Sequence, residues 1–341
     1  MSIVVTGSVA FDYLMTFPGK FRDQILPEHL NKLSVSFLVD SKQSFRGGTG
    51  PNIAYNLALL GNRPLLFATA GRDFHEFRIW LEEQGVDTSA MGVFEDEFTA
   101  TFSVITDLEQ NQIASFHTGA MARARELSIR QLNGRSIDMV IISPNDPAAM
   151  HAYPQECCEL GIPFIFDPSQ QLARMNGEQL VESMRGAKVL TVNEYEFEMA
   201  RQKTGMDDQA MLDLVETIVV TKAANGSTVI GRDFCLDVPA AAPAELIDPT
   251  GGGDAYRAGL LTGLARGYSW EVTCRLASLA ATYAIEQSGT MTHSYSLPQF
   301  AERYRSTFGN TPELENLLAT AVKPQTPDLA GTQWGAWEVG A

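Results

Sequence analysis

The chain has 341 residues, of which 45% are hydrophobic and 19% charged, enough apolar material to bury a full core. Its 41 acidic and 25 basic side chains give a net charge of −16, which repels polyphosphate backbones and argues against a nucleic-acid partner. No run approaches the roughly 18 apolar residues of a membrane span, so no membrane partner is expected. Four cysteines, Cys157, Cys158, Cys235 and Cys274, form no C-x-x-C pair, and five dispersed histidines cannot build a zinc-binding helix.

The first residues, Met1 to Gly7, carry no basic region before their apolar run and read as a first core strand, so a cytoplasmic protein is expected. From there, short β-branched runs at 3–6, 65–70, 139–143, 163–166, 189–193 and 218–221 alternate with helical patterns. That alternation predicts a mainly parallel sheet covered on both faces. Between 51 and 61, Ile53, Ala54, Leu57 and Leu60 share a helical face, Pro51 suits the first turn, and Gly61 can end it.

Two stretches break the rhythm, at about 13–45 and 92–119. Residues 98–106 alternate with a period near two, and 113–116 can pair back on them across Gln110-Asn111. These insertions are expected to pair into a small β lid over the carboxyl edge of the main sheet, where open α/β folds bind ligands. The remainder, 1–12, 46–91 and 120–341, forms the expected nucleotide-binding body. The proline-containing tail after Gly309, with Trp334 and Trp337, is expected to pack along it.

The run Asp248-Pro249-Thr250-Gly251-Gly252-Gly253-Asp254 is the most informative. Apolar Ala255, Ala258, Leu261 and Leu264 follow at helical spacing, so the glycine amides stand at a helix N-terminus, where unpaired N–H groups and the helix dipole attract anions. A carboxylate beside an anion site repels its ligand, so Asp254 needs another role. It is either a dipole-favoured first-turn residue or a base that takes a proton from an attacking alcohol.

With these residues the sequence resembles the ribokinase-like, or PfkB, family of ATP-dependent sugar and nucleoside kinases. The family pattern D-T-x-G-A-G-D is met except at Pro249 and Gly252. A second pattern, a glycine pair followed by asparagine and a helix, stands at Gly47, Gly48 and Asn52. Asp12 matches the substrate-binding aspartate after the first strand, with Ser8 nearby, and Asn193-Glu194-Tyr195-Glu196 matches N-x-x-E, which in relatives orders Mg²⁺ through water. Thr221, Lys222 and Gly226 fall where relatives contact the nucleotide, although Ala223 replaces a usual glycine there.

The resemblance implies a three-layer α/β/α sandwich with a β lid, ATP and Mg²⁺ as co-substrate and cofactor, and adenine near Ala277 and Ala281. It also implies K⁺ as a further cofactor close to Asp248. Within the family, residues 17–40 and 166–172 look like bacterial adenosine kinases of the mycobacterial kind. That likeness places Ser36, Phe102, Phe116, Gln170 and Gln171 at the nucleoside and makes adenosine the expected acceptor. A ribose or fructose kinase using the same Asp12, Asn52 and Asp254 is the alternative, and a nucleoside sensor a more distant one. A homodimer through exposed lid edges is a further expectation.

Overall fold

The computed structural model describes residues 2–320. The chain begins with β1 (Ile3–Thr6), β2 (Ala10–Thr16), α1 (Phe21–Gln24), β3 (Ser41–Gly47), α2 (Thr49–Leu59), β4 (Leu65–Leu66), β5 (Thr69–Gly71) and α3 (His75–Glu83). It continues with β6 (Gly92–Phe94), β7 (Ala100–Thr106), β8 (Gln112–His117), β9 (Met139–Ile142), α4 (Pro147–Leu160), β10 (Phe164–Phe166), α5 (Gly177–Met184) and β11 (Val189–Asn193). The last third holds α6 (Glu194–Thr204), α7 (Asp208–Leu212), β12 (Thr217–Thr221), β13 (Ser227–Gly231), β14 (Cys235–Val238), α8 (Gly252–Ala265), α9 (Trp270–Ile285), α10 (Leu297–Phe308) and α11 (Pro312–Thr320).

Eight strands form the main sheet in the order β14-β13-β12-β11-β10-β9-β1-β4, all running one way except β13, which is antiparallel to both β12 and β14. Its strands are apolar on both faces because both faces are covered. In β1, Ile3 and Val5 enter one core with α2, α8 and α9, whereas Val4 enters a second core with α4, α5 and α6. Strand β9 repeats the division, with Met139 and Ile141 on the first side and Val140 and Ile142 on the other. Period-two alternation thus sorts apolar side chains between two helical layers, the expected α/β/α sandwich.

The lid is a separate four-stranded sheet, β3-β2-β7-β8. The two inserted stretches meet along β2 and β7, which run parallel in register from Ala10↔Ala100 to Thr16↔Thr106. The β7–β8 hairpin turns where expected, with Gln110 at φ 64° and the Asp107 carboxylate accepting from the N–H groups of Glu109 and Asn111. Two boundaries move. The β2–β3 ladder runs to Ala10↔Gly47, so Ala10–Asp12 and Arg46–Gly47 belong to the lid sheet rather than to the body. Gly92–Phe94, expected in the lid, pairs instead with Thr69–Gly71.

Among the described residues, no helix is long and apolar enough to cross a membrane. The start of the tail packs as expected, since Leu314 and Leu317 of α11 are buried in the first core; Trp334 and Trp337 lie outside the described residues.

His293, in the segment before α10, is buried against α2. Its Nε2–H donates to Asn56 Oδ1 at 2.9 Å, while its carbonyl accepts from Tyr55 Oη at 2.5 Å. Burial pushes its pKa down from 6.5 to about 4. The folded value lies below the unfolded one, so this group's stability is present above pH 6.5 and is lost as pH falls through 4, about 3 kcal/mol in all. Urea unfolding should show that decline, and His293→Gln should flatten it.

Candidate active site

Helix α8 begins at the triple glycine because Gly251 takes the left-handed conformation, φ 83°, that turns the chain into the first helical turn. The approach is fixed by Asp248, whose carboxylate accepts from Thr250 N–H at 2.9 Å and from Gly289 N–H at 3.1 Å. Burial acts to raise the Asp248 pKa, but these hydrogen bonds outweigh it and the net direction is down. The amides of the following glycines thus open a 14-residue helix, a strong anion-binding geometry.

Asp254 lies in that first turn and is 8% exposed. Its Oδ2 accepts from Asn52 Nδ2 at 2.8 Å, a link from α8 to the first turns of α2. Its Oδ1 faces Arg257 Nη1 at 3.4 Å. Burial raises its pKa, opposed by Arg257 and by the Asn52 hydrogen bond. A carboxylate held above its ordinary range is a better proton acceptor near neutral pH. Asn52 has donated its amide, and its buried Oδ1 has no protein partner, so it can accept from a hydroxyl.

On the lid side, Gly48 has φ 95°, and a Cβ there would fall 2.3 Å from the Ser8 carbonyl oxygen. A Cβ on Gly47 would fall 2.5 Å from Asp12 Oδ2, so the missing side chain leaves that carboxylate its room. Ser8 Oγ accepts from Thr49 N–H at 3.4 Å and ties β1 to the start of α2. Asp12 is only half-buried, yet desolvation raises its pKa to about 6.

The register places Asp12 opposite both Phe45 and Phe102, and Phe102 opposite Phe116. Residues paired across a ladder share a face, so three aromatic rings flank one carboxylate in a single row. Phe116, at the outer strand, is 48% exposed. Ser36 lies exposed in an irregular segment that Phe37 pins to Phe17 and Phe21, with ring centroids 5.1 and 4.9 Å apart. Gln170 is exposed; Gln171 is buried and donates from Nε2 to the Asn145 carbonyl at 3.1 Å. A cavity of about 360 Å³ lies between β3, α3 and Thr290, a residue that also packs on Gly251.

On the other side of α8, a cavity of about 190 Å³ is lined by Asn193, Glu196, Thr221, Gly253, Tyr256 and Arg257, with Ser169 at its rim. The N-x-x-E segment folds as a reciprocal cap: Asn193 Oδ1 accepts from Glu196 N–H at 2.8 Å and Glu196 Oε2 from Asn193 N–H at 2.9 Å. Two non-glycine residues near this cavity have positive φ, Ser169 at 41° and Ala223 at 48°. Ala223 therefore keeps the turn that a glycine would make, at some cost in strain. Lys222 pairs with Asp237 at 3.2 Å, and Gly226 packs where a Cβ would meet the Val238 carbonyl oxygen at 2.0 Å.

Ala277, expected at the adenine, is a correction. It is fully buried where α9 crosses α8, and a Cβ on Gly259 would come 2.3 Å from its Cα, so its surface is used in helix packing. Ala281, one turn on, stays half-buried. Sequence reasoning also missed Asp167, whose Oδ2 lies 2.6 Å from Arg257 Nε, and the buried Ser143 and Asn145 beside the strand ends. The signal was an arginine three residues past Asp254 on a helix otherwise lined with small and apolar residues.

The pfkB family carbohydrate kinase model matches residues 8–296. The chain belongs to that family. It is 34% identical to the Burkholderia thailandensis nucleoside kinase solved with inosine, with a TM-score of 0.79 over 91% of this chain and 99% of that one. It is 28% identical to the Methanocaldococcus jannaschii nucleoside kinase over 88% of this chain and 96% of that protein. The Arabidopsis thaliana ribokinase complexed with ribose and ATP shares the fold, with a TM-score of 0.68 at 17% identity over 89% of this chain and 98% of that one. The protein is thus a phosphotransferase with an alcohol acceptor, on a ribokinase-like fold.

Proposed function

We propose that this enzyme transfers the γ-phosphoryl group of ATP to the 5′-hydroxyl of a purine nucleoside, with adenosine as its acceptor, in cytoplasmic purine salvage. The observation that carries the reading is the row Phe45, Asp12, Phe102 and Phe116. A carboxylate that accepts from two vicinal hydroxyls suits a ribose, and the adjoining rings supply the flat apolar surface that a nucleobase needs and a free sugar does not. Nucleoside kinases among the relatives support the same class.

In this reading Asp254 takes the 5′-hydroxyl proton as the acceptor oxygen forms a bond to the γ-phosphorus, the bond to the bridging oxygen breaks, and ADP leaves. The amides of Gly251 and Gly253, joined by that of Gly252 as it gives up its long 3.3 Å bond to the Pro249 carbonyl, hold the charge on the transferring group, and Asn52 keeps the base aimed. The phosphates occupy the cavity beside Asn193, Thr221 and Gly253. Glu196, on that cavity's wall, fits a magnesium ion held mainly by phosphate and water, the arrangement this ion prefers. Bound there, Mg²⁺ would neutralise phosphate charge. The lid's remaining task is to exclude water, a competing acceptor.

The test offers purified enzyme and ATP with adenosine, inosine, guanosine, cytidine, ribose and fructose. Adenosine should give the highest kcat/KM; a free sugar ahead of every nucleoside would overturn the reading. Phe102→Ala and Phe116→Ala should each raise the adenosine KM about tenfold, within the ~1 to 3 kcal/mol that base–aromatic stacking contributes, and leave the ATP KM unchanged. Equal effects on both substrates would mean that the rings only hold the lid together.

A further inference from the structure

Four charged side chains meet at the first turn of α8, and the phosphotransfer reading above uses only one of them as a base. Arg257 is 12% exposed at its side chain and reaches two carboxylates at once, Asp167 Oδ2 from Nε at 2.6 Å and Asp254 Oδ1 from Nη1 at 3.4 Å. Asp167 is completely buried just past the carboxyl end of β10, beside Ser143, which directly follows β9. Glu196 of α6 adds a further negative charge on the wall of the cavity that Arg257 lines. From α2 the only polar group on Asp254 is the uncharged Asn52.

The third glycine is part of the same arrangement. A Cβ on Gly253 would fall 2.8 Å from Arg257 Nη1, so the guanidinium lies against the backbone whose amides receive phosphate. A buried arginine with one carboxylate partner is an ion pair; with two, on separate elements, it is a clamp that fixes one relative to the other. The fully buried Asp167, whose Oδ2 lies against Arg257 Nε, serves to hold the guanidinium in place.

We infer that Arg257 is a positioning residue for phosphoryl transfer: anchored by Asp167, its guanidinium keeps the Asp254 carboxylate ionised and aimed, and sets a fixed positive charge beneath the Gly251–Gly253 amides. The inference rests on the kinase reading of this site but not on the choice of acceptor. Its effect is on the chemical step, because both the proton acceptor and the transferring charge lie within its reach. Burial raises the Asp254 pKa and Arg257 is the strongest influence lowering it, so removing the cation must move proton acceptance to higher pH.

The experiment compares wild type with Arg257→Met, Arg257→Lys and Arg257→Ala on whichever acceptor the panel turns over best. The outcome therefore stands even if that acceptor is a sugar and the nucleoside reading has failed. In Arg257→Met, kcat should fall about 100-fold, the scale of losing one preorganised charge-stabilising group, with smaller changes in both KM values. The acidic limb of its kcat profile should move up by about one pH unit or more. Arg257→Lys should keep the limb near its wild-type position, and tens of millimolar guanidinium should restore Arg257→Ala at least tenfold.

Because Arg257→Met leaves Asp167 unpaired, the charge-balanced Asp167→Asn/Arg257→Met double variant is measured alongside, with thermal melts. A folded Arg257→Met or double variant that keeps the wild-type limb, or a kcat within threefold of wild type, would overturn the inference. Failure of guanidinium to rescue would also overturn it, since a purely structural arginine would give that result.

Discussion

Asp254→Asn should lower kcat about 1,000-fold, the mid-range effect of removing a general base, or roughly 4 kcal/mol in the barrier. The geometry makes this a specific expectation. Asparagine has the same shape, and Arg257 loses one of two carboxylates but keeps Asp167 at 2.6 Å, so the local packing persists. What changes is the ability to accept a proton; the hydrogen bond from Asn52 Nδ2 is kept by the new amide oxygen. Nucleotide affinity should hold within a few fold, because the cavity proposed for the phosphates is walled by Gly253, Thr221 and Asn193. Single-turnover kinetics with a melting curve on the same sample provide the check. A folded variant with kcat within tenfold of wild type would remove Asp254 from the chemistry and leave it as a first-turn residue favoured by the helix dipole.

Much of this arrangement was legible in the sequence because it depends on local pattern. Alternation between β-branched runs and helical stretches gives the sandwich, since each strand must feed two cores, and the period-two run from residue 98 gives the lid strand that pairs with β2. The glycines before α8 and α2 are likewise local: each admits a backbone path or an approach that a side chain would block. What the sequence withheld is set by long-range pairing. Asn52 reaches Asp254 across 202 positions, and nothing near either residue announces the contact. Asp167 meets Arg257 because β10 lies two strands from β1 and ends below α8, a fact of strand order. Phe45 joins Asp12 and Phe102 only once the β2–β3 register is known, since a slip of one residue would put it on the opposite face. Ala277 shows the reverse: a small residue at helical spacing suits a ligand wall and a close helix crossing equally, and the crossing took it.

Asp12 should make acceptor binding depend on pH in a direction opposite to its effect on stability. Desolvation raises its pKa to about 6, so in the free enzyme it is progressively protonated below that value. A neutral carboxyl cannot accept fully from two hydroxyls, so the acceptor Kd should rise about tenfold for each pH unit below 6. Asp12→Asn should raise that Kd about 100-fold at pH 7.5, the scale of weakening two charge-assisted hydrogen bonds, and should remove most of the dependence between pH 5 and 7. For stability the sign runs the other way. The folded pKa exceeds the unfolded value, so the group's favourable contribution is complete below about pH 4 and is lost as pH rises through 6, about 3 kcal/mol at most. At pH 7.5, therefore, Asp12→Asn should melt higher than wild type while binding its acceptor worse, and at pH 4 the two melting temperatures should converge. Calorimetric titration and melting across that range measure both halves. A wild-type acceptor Kd that is flat from pH 5 to 7 would separate Asp12 from the acceptor, because no carboxylate can bind two hydroxyls equally well in both protonation states.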